Sequence, residues 1–397
     1  MENPQSSPIS GNASHSIPTV SNSHKPNPEQ NVQEFINNAL ASMLDELAKP
    51  DGRPSITLKQ RSKGGCYAVN PSSGALEAAA GQGVHTTYCW PGKNVQEAWK
   101  FTVTLRVLGL IAEAIRGDFV TSKRDIYYND PVYFGSQRVV DTLVDDIAYT
   151  IGVDRAALHV TAAAKGLTTG YNFLKNKSHI MSDDRPSAED SLVPRLEDID
   201  EVDLSEVQWV LIVEKEAVFR RLANTCYHTT SAAGKGILIT GKGYPDLCTR
   251  AFVRLLSDTK SESPSRHAPS FYALVDSDPD GMAIMATYKY GSMAHAHENA
   301  KLNAPSLRWL GLRTSDVVKG MDPQGEDALI PLSARDRKKA LAMLSGNPIF
   351  AEDGPEPGWR AELQQMLILN MKAEIETLYG IDGGINAWMD QKLTRLT

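Results

Sequence analysis

The amino-acid sequence predicts an α/β multidomain protein, with a winged helix-turn-helix domain followed by a domain built on a parallel sheet. Apolar residues recur at helical spacing between residues 94 and 151, and a short hairpin pattern follows them. That order is typical of a winged helix-turn-helix. Strand and helix patterns then alternate between residues 207 and 290, as in a parallel sheet covered by helices. A length of 397 residues suits two or three domains.

Composition narrows the class of protein. Hydrophobic residues make up 41% and charged residues 22% of the chain, which is typical of soluble globular proteins. No run of 18 apolar residues is present, and the first residues lack the basic and apolar regions of a secretory signal, so we expect neither a membrane span nor secretion. The four cysteines are scattered without a C-x-x-C pair. This spacing argues against a disulfide framework or a zinc knuckle and suits a reducing, intracellular compartment.

Charge is unevenly distributed. The net charge is -7, but ten acidic and only two basic residues lie between residues 183 and 206. Such a block is usually a solvated linker, and we assign residues 176–206 to an acidic linker. The rest of the chain is near neutral, so its charge neither supports nor excludes DNA binding.

The first 92 residues divide into three predicted segments. Residues 1–30 are rich in Ser, Asn and Pro and are expected to be a disordered tail. The apolar stripe from Val32 to Leu47 predicts an amphipathic helix over residues 31–48. This helix either folds back on the main body or docks on a partner subunit. Residues 49–92 are rich in Gly and Ser and are expected to form a linker with one short hairpin at most.

Two long helices and a hairpin are predicted for the winged-helix domain, residues 93–175. The first helix starts after the N-cap Asn94 and ends at Gly117; the second runs from Ser136 to Ile151 and is expected to face a DNA groove. The hairpin turns at Lys165 and would form the wing. Residues 207–397 form the second domain, with predicted strands at 207–213, 236–240 and 271–275, helices between and after them, and a long helix over 359–379.

Carboxylates follow two of the predicted parallel strands. Glu214 follows the first strand, and Asp276 and Asp278 follow the third. Ligands of open α/β sheets bind beyond the carboxyl ends of the strands, and three carboxylates without His or Cys suit Mg²⁺. The alternative is that Asp276 and Asp278 only form a turn and cap a helix.

Three further patterns have more than one interpretation. Tyr127 and Tyr128 follow Arg124 and could include a nucleophile toward phosphorus, but their spacing alone favours packing residues. Residues 236–242 match part of a phosphate-binding loop, yet Gly243 stands where such a loop carries Ser or Thr. A nucleotide-binding protein is therefore the least favoured class. His295 and His297 have no third ligand nearby and are interpreted as a packed or solvated pair.

Seven segments, in order, carry a resemblance to a known family: KRDIYYNDPVYFGSQ (123–137), VDDIAYTIGV (144–153), TAAAKGL (161–167), VEKEAVF (213–219), TGKGYPDLCTR (240–250), ALVDSDPDGMAI (273–284) and LRWLGL (307–312). Together they resemble the meiotic DNA double-strand-break transesterases, the eukaryotic relatives of the topoisomerase VI A subunit. The resemblance covers residues 90–397 and implies a winged-helix domain followed by a Toprim domain.

The resemblance implies roles for seven residues of this chain. They are Tyr128 as the nucleophile, Arg124 as the active-site arginine, Glu214, Asp276 and Asp278 as Mg²⁺ ligands, Lys165 as a phosphate contact, and Tyr244 as an aromatic DNA contact. None of these seven positions departs from the family pattern, so an active enzyme is expected.

The implied function is Mg²⁺-dependent cleavage of double-stranded DNA through a 5′-phosphotyrosyl intermediate, which starts meiotic recombination in the nucleus. The resemblance further implies a homodimer, a topoisomerase-VI-B-like subunit docked on the 31–48 helix, other meiotic accessory proteins, and membership of the ATP-hydrolysing DNA topoisomerase class. Two alternatives stay open. One is the A subunit of a strand-passing type IIB topoisomerase, and the other is a winged-helix DNA-binding scaffold that does not cleave.

Overall fold

A computed structural model describes residues 27–61, 67–78, 84–161, 164–170, 174–176, 191–259, 268–320 and 329–396. Within these ranges no helix is long and apolar enough to cross a membrane. The α-helices are Pro28–Leu47 (α1), Val95–Arg116 (α2), Lys123–Asn129 (α3), Pro131–Phe134 (α4), Gln137–Ile151 (α5), Glu216–Asn224 (α6), Tyr227–Thr230 (α7), Leu247–Asp258 (α8), Pro279–Lys289 (α9), Asn299–Leu302 (α10), Thr314–Gly320 (α11), Ala334–Gly346 (α12), Pro357–Leu369 (α13) and Gly384–Leu396 (α14).

Most of the strands are short. They are Ser55–Gln60 (β1), Tyr67–Val69 (β2), Leu76–Ala78 (β3), Val84–Cys89 (β4), Thr121–Ser122 (β5), Val160–Thr161 (β6), Leu167–Gly170 (β7), Leu174–Asn176 (β8), Ser191–Leu192 (β9), Ile199–Val202 (β10), Trp209–Val213 (β11), Gly236–Thr240 (β12), Ser270–Leu274 (β13), Arg308–Gly311 (β14), Ile330–Pro331 (β15) and Met371–Lys372 (β16).

A six-stranded sheet organises the C-terminal part, in the order β14-β13-β11-β12-β7-β9. The strands β14, β13, β11 and β12 are parallel, and β7 and β9 extend the sheet in antiparallel fashion. The chain leaves β11 to form β12 on one side and later returns to form β13 on the other. The strand order therefore reverses at β11, and the carboxyl ends of β11 and β13 border the crevice in which such sheets bind ligands.

Helices cover both faces of this sheet because alternate strand residues point to opposite sides. Val210 and Ile212 face a front layer, which we define as α8, α9, α12 and α13. Trp209, Leu211 and Val213 face a back layer, defined as α6, α7 and α14. All five residues are fully buried, and β11 is a continuous apolar run, which is typical of a central parallel strand. The mixed α/β architecture with a parallel sheet is therefore confirmed.

The N-terminal helices and β1 form a second hydrophobic core, to which α1, α2, α3 and α5 all contribute. Helix α1 folds back on this body through Val32 and Ile36, which are almost completely buried. Helix α5, predicted to face a DNA groove, buries residues 143–148 and exposes little beyond Arg138 and Thr142 in its first half. The exposed side chains of α5 lie in that half, and the last three residues, 149–151, are half-buried.

The predicted wing does not form among the described residues. Instead of pairing with each other, β6 pairs in parallel with β5, and β7 pairs with β12 in the main sheet. Leu167 and Thr168 are buried there, so this segment is a strand of the C-terminal part. The backbone donors and acceptors of β7 are satisfied by β12, which is distant in sequence and which a local hairpin pattern cannot reveal.

Both predicted linkers contain strands. Within residues 49–92, β1 pairs with β4, β2 pairs with β3, and Ile56 and Leu58 are buried in the N-terminal core. Within residues 176–206, β9 joins the main sheet and β10 pairs with β8. The acidic segment is therefore attached to the C-terminal part over its described residues.

The single helix predicted over residues 359–379 is two elements. Helix α13 ends at Leu369 because Asn370 adopts the left-handed conformation, with φ of 53°. The chain then forms β16 and a 3₁₀ turn over Ile375–Tyr379. Trp359 packs in the front layer and Ile375 in the back-layer core. The apolar residues that predicted one helix are therefore divided between the two faces of the sheet.

Candidate active site

The three predicted carboxylates lie together at the carboxyl edge of the sheet. Glu214 follows β11 directly, and its Oε2 accepts a hydrogen bond of 2.9 Å from the backbone N–H of Asp276. Asp276 follows β13, and its Oδ1 accepts a 2.9 Å bond from the N–H of Ile375. Asp278 is the N-cap of α9 and accepts from the N–H of Gly281 at 2.7 Å. Each carboxylate is therefore held by the backbone of an adjacent element.

Gly281 allows helix α9 to approach these carboxylates. A Cβ atom at this position would lie 2.4 Å from the carbonyl oxygen of Asp276 and 3.0 Å from Oε2 of Glu214. Real Cβ atoms do not come so close to a backbone oxygen. The first turn of α9 can pack against the acidic turn only because residue 281 has no side chain.

Lysines partly offset the negative charge of the site. Lys215 Nζ lies 3.1 Å from Asp276 Oδ2, but it also bonds Glu374 and Glu376. Lys372 Nζ lies 3.0 Å from Asp336 and 4.0 Å from Asp278 Oδ2. Both lysines are shared with acids outside the three carboxylates, so the compensation is incomplete.

Burial makes the charged forms of the three carboxylates costly. It raises the pKa of Glu214 to about 8, and the nearby Asp276 carboxylate adds to that shift. Burial also raises the pKa of Asp276 to about 6, against the opposing effects of the Ile375 N–H and Lys215. The pKa of Asp278 is raised by burial as well. Carboxylates with raised pKa values favour an additional cation nearby.

The donor chemistry of this edge fits a hard divalent cation. The donors are carboxylate oxygens alone, which Mg²⁺ prefers, and the close approach of α9 at Gly281 encloses them. Among the described residues no three His, Cys, Asp or Glu side chains form a ready metal-binding group. One carboxylate oxygen of Glu214 and one of Asp276 instead accept the backbone hydrogen bonds described above.

The two candidate tyrosines differ in their environment. Tyr128 exposes 67% of its surface, whereas Tyr127 is half-buried and packs against the N-terminal core. Their ring centroids are 5.3 Å apart. Both lie on α3, which begins with a capping box between Ser122 and Asp125. The Tyr128 side chain is therefore more accessible to a substrate than the Tyr127 side chain.

Arg124 lies one helical turn before Tyr128 and is exposed. Residues four apart on a helix lie on the same face, so the guanidinium and the Tyr128 hydroxyl share one surface of α3. Lys123, in contrast, points inward and bonds Asp145 at 2.5 Å. This ion pair fixes the start of α3 on the N-terminal core.

The two predicted DNA contacts meet at one loop, residues 241–246. Lys165 is exposed, and its Nζ lies 3.5 Å from the carbonyl oxygen of Lys242. Tyr244 exposes 45% of its surface and accepts a hydrogen bond of 2.6 Å from Lys339. The N–H of Gly243 donates to the carbonyl oxygen of Glu214 at 3.0 Å. The loop is thereby joined to the carboxylate site.

Not all predicted site residues are brought together. Lys165, Tyr244 and the three carboxylates belong to one continuous region, while Tyr128 and Arg124 lie on the separate N-terminal core. Within the described residues no hydrogen bond, ion pair or ring contact links Tyr128 to Glu214, Asp276 or Asp278. In a single chain the two groups of predicted site residues therefore lie on different cores.

Sequence reasoning missed three cations near the site. Lys215 directly follows Glu214 within the segment VEKEAVF, so its place beside the acidic edge could have been inferred. Lys372 and Lys339 gave no such signal. Lys372 falls inside the continuous helix that the sequence predicts, and Lys339 reaches the site only through the packing of α12.

Comparison with known proteins defines the class first. The family model described as "Type IIB DNA topoisomerase" matches residues 99–160. The model of the Toprim domain of Spo11 and of the topoisomerase 6 A subunit matches residues 209–393. The first range contains Arg124 and Tyr128, and the second contains the three carboxylates and Tyr244. The C-terminal part is therefore a Toprim domain, a type of domain that generally binds Mg²⁺.

Individual relatives identify the family. The chain is 34% identical over 351 residues to "Meiotic recombination protein SPO11" of Homo sapiens, covering 87% of this chain and 83% of the human protein. It is 34% identical over 355 residues to "Meiotic recombination protein SPO11-1" of Arabidopsis thaliana, covering 88% and 90%. It is 33% identical over 289 residues to the A3 subunit of DNA topoisomerase 6 of Oryza sativa subsp. indica, covering 72% and 62%. The chain belongs to the family formed by Spo11 and the topoisomerase 6 A subunit.

Proposed function

We propose that this protein is a Mg²⁺-dependent DNA transesterase that forms meiotic double-strand breaks in the nucleus. The observation that carries the proposal is the combination, in a member of this family, of an exposed tyrosine on a capped helix with buried carboxylates at a sheet edge. The first supplies a nucleophile and the second a cation site. The named relatives in human and Arabidopsis are meiotic recombination proteins.

Tyr128 is the proposed nucleophile. Its oxygen forms a bond to a backbone phosphorus, the bond from that phosphorus to the 3′-oxygen breaks, the phenol proton leaves, and the departing 3′-oxygen takes up a proton. The product is a 5′-phosphotyrosine and a 3′-hydroxyl. One phosphodiester replaces another, so no water or energy-rich cofactor is consumed. Arg124 donates hydrogen bonds to the phosphate oxygens and stabilises the charge that develops on them.

Glu214, Asp276 and Asp278 are the proposed Mg²⁺ ligands. The bound ion would supply positive charge to the phosphate and the leaving oxygen. In the absence of the ion, the ammonium of Lys215 partly neutralises the Asp276 carboxylate. The backbone bonds to the three carboxylates hold them in place without an ion, so the residues of the site are positioned in advance.

Lys165 and Tyr244 are proposed to contact DNA beside the carboxylates. The exposed ammonium suits a phosphate, and the exposed ring suits a base or sugar. We also propose that the helical unit around α2, α3 and α5 is the winged-helix part of the family and that it ends near β6. The strand β7 would then belong with the Toprim domain.

The active form is proposed to be a homodimer, because one chain cuts one strand and a double-strand break needs two. A topoisomerase-VI-B-like subunit is proposed to dock on α1. This helix buries Val32 and Ile36 but exposes Leu40, Leu44 and Leu47 by 49%, 67% and 61%. An exposed leucine row on a folded helix suits a second apolar surface. Other meiotic accessory proteins are expected on the chromosome.

A strand-passing topoisomerase A subunit is the second candidate function, because a rice relative carries that name. This function, and assignment to the ATP-hydrolysing class, requires an ATPase partner and efficient religation. Relaxation of supercoiled DNA by the reconstituted complex would support it. A scaffold that does not cleave DNA would be supported instead if Tyr128→Phe left every cellular phenotype unchanged and the wild type formed no adducts.

The test is recovery of protein-linked DNA from meiotic cells that express the wild type, Tyr128→Phe or Tyr127→Phe. We expect adducts in the wild type and none in Tyr128→Phe. Tyr127→Phe is the matched control, because it removes the neighbouring hydroxyl, and it should retain adducts. Loss in Tyr127→Phe alone would move the nucleophile to Tyr127, and adducts in none of the three, with the proteins expressed, would contradict the proposal.

A further inference from the structure

Helix α12 carries an unusual concentration of positive charge. Its first six residues include Arg335, Arg337, Lys338 and Lys339 against one acid, Asp336, and its second half has no charged residue. The whole chain, in contrast, has a net charge of -7. Cations near a helix N-terminus oppose the helix macrodipole, which favours acidic residues there. Helix stability therefore does not explain this arrangement.

The packing of α12 directs part of this charge outward. Asp336, Ala340 and Met343 are buried at helical spacing, so Arg335 and Lys338, on the opposite side of the helix, face solvent. The Arg335 side chain is 81% exposed and its guanidinium is 3.7 Å from Asp280. Lys338 is exposed and makes no hydrogen bond or ion pair within the described ranges. Neither side chain is needed to hold the helix in place.

Two other ion pairs anchor α12 to the carboxylate site. Asp336 binds Lys372 at 3.0 Å, and Lys372 in turn approaches Asp278. Lys339 binds Asp280 and donates to the hydroxyl of Tyr244 at 2.6 Å. The basic face is therefore fixed beside the proposed metal ligands and beside a proposed DNA contact.

We propose that Arg335 and Lys338 bind phosphates of the DNA duplex that enters the carboxylate site. This inference rests on the proposed function and extends the DNA surface from Tyr244 along α12. Side chains three residues apart on a helix lie about 5–6 Å apart at Cβ, so both can reach one strand. Continuity with Lys165 and Tyr244 favours DNA over an acidic protein segment.

The test measures duplex binding by the full-length chain over a range of salt concentrations, in a Tyr128→Phe background that prevents covalent attachment. Arg335→Gln with Lys338→Gln should weaken binding roughly tenfold and lower the slope of log affinity against log salt by about 2, since each phosphate contact contributes about 0.9. The matched control is Lys235→Gln with Arg395→Gln. Lys235 directly precedes β12, and Arg395 is next to Leu396, whose carbonyl oxygen accepts a hydrogen bond from Arg308 at the start of β14. The control therefore removes two positive charges at the opposite, amino edge of the sheet, and it should leave the slope unchanged.

Each outcome has a separate meaning. Failure of the Tyr128→Phe parent to bind duplex would overturn the proposed function itself. If the parent binds duplex and the α12 variant has an unchanged slope, only the role of Arg335 and Lys338 is overturned. An equal loss in the control would overturn it as well, because it would indicate a general effect of charge. The α12 substitutions are also made in the chain that keeps Tyr128, and adducts are measured there. If these adducts are lost while duplex binding is unchanged, the basic face would instead bind an acidic protein partner. Thermal melting confirms that the variants fold.

Discussion

Among single residues, Gly281 determines whether the carboxylates can act together. The first turn of α9 approaches Glu214 and Asp276 at distances that leave no room for a Cβ atom. The D-x-D-P-x-G pattern thus combines two proposed metal ligands, Asp276 and Asp278, with the glycine that allows α9 to pack against them. A residue without any functional group is in this way part of the site.

Gly281→Ala is expected to reduce Mg²⁺ affinity and DNA cleavage together. The added methyl group must displace the carbonyl oxygen of Asp276 and the carboxylate of Glu214, at a cost of about 1–3 kcal/mol in stability. Calorimetric Mg²⁺ titration and adduct recovery measure the two effects. Gly358→Ala is the matched control, because nothing lies within 4 Å of the position that its methyl group would take. Normal Mg²⁺ binding by Gly281→Ala would show that α9 can retreat without moving the ligands.

The affinity for Mg²⁺ is expected to increase with pH. Glu214 and Asp276, with pKa values of about 8 and about 6, hold protons in the metal-free protein that an ion must displace. Between pH 6 and 8 about one proton is released for each ion, so affinity rises about tenfold per pH unit. Calorimetry in buffers of different ionisation enthalpy counts the protons released. Affinity that is independent of pH over this interval would contradict the burial of Glu214.

The same shifts have a consequence for stability. Both pKa values lie above those of exposed carboxyls, so the folded metal-free protein binds more protons than the unfolded chain. The stability that these two groups contribute is complete below about pH 4 and is lost as pH rises through about 6 and 8. Mg²⁺ should restore it, because the ion replaces the protons.

The site residues could be predicted from sequence to different extents. The carboxylates could be predicted because the end of a buried strand is a local feature of the sequence, and the carboxyl ends of parallel strands meet at one edge of the sheet. The choice of Tyr128 over Tyr127 came from resemblance, since their spacing is equally consistent with packing. Lys372 could not be predicted, because its position depends on the turn at Asn370.

At the level of elements, a buried charge cluster connects α3 to both parts of the chain. Asp145 on α5 is 6% exposed and binds Lys123, Arg61 and Arg155 at 2.5–2.9 Å. Arg61 also donates to the carbonyl oxygen of Ala294, which lies in the C-terminal part. The helix that carries Tyr128 is thereby coupled through one carboxylate to the Toprim domain.

Asp145→Asn should destabilise the protein by about 3–5 kcal/mol, because the buried Arg155 and the largely buried Lys123 would lose their shared counter-charge, whereas Arg61 would keep its pair with Asp146. It should also reduce adduct formation at temperatures where the protein remains folded, since Lys123 no longer fixes the start of α3. Urea unfolding measures the first effect. The control Asp154→Asn breaks an exposed pair with Lys301 and should change stability by less than about 1 kcal/mol. Equal effects of the two variants would show that the cluster is solvated.

Long helices and the three parallel strands β11, β12 and β13 could be predicted from sequence, whereas the short strands that pair with distant parts of the chain could not. Helices α2 and α5 follow the predicted bounds closely because caps such as Asn94 and a regular apolar stripe act locally. The predicted wing was wrong because β7 pairs with β12, whose partner residues are about 70 positions away. The predicted helix over 359–379 was wrong because apolar residues for two faces of the sheet happen to continue one helical pattern.

At the level of the whole molecule, one chain holds the proposed nucleophile and the proposed cation site on different cores. Tyr128 lies on α3, which packs on the N-terminal core through Ile126, and the carboxylates belong to the Toprim domain. A dimer in which each Tyr128 works with the partner's carboxylates would produce two complete sites. Cleavage of both strands would then follow from the symmetry of the assembly.

Mixing two inactive chains tests this arrangement. A Tyr128→Phe chain retains its carboxylates, and an Asp276→Asn chain retains its tyrosine, so a mixed dimer has one complete site only if the site is shared between chains. We expect single-strand nicks, with DNA attached solely to the Asp276→Asn chain, because that chain supplies the sole nucleophile. Homodimers of either variant are the controls and should form no adducts. A site contained within one chain would leave the mixture as inactive as those controls, since each chain would lack one of its two halves.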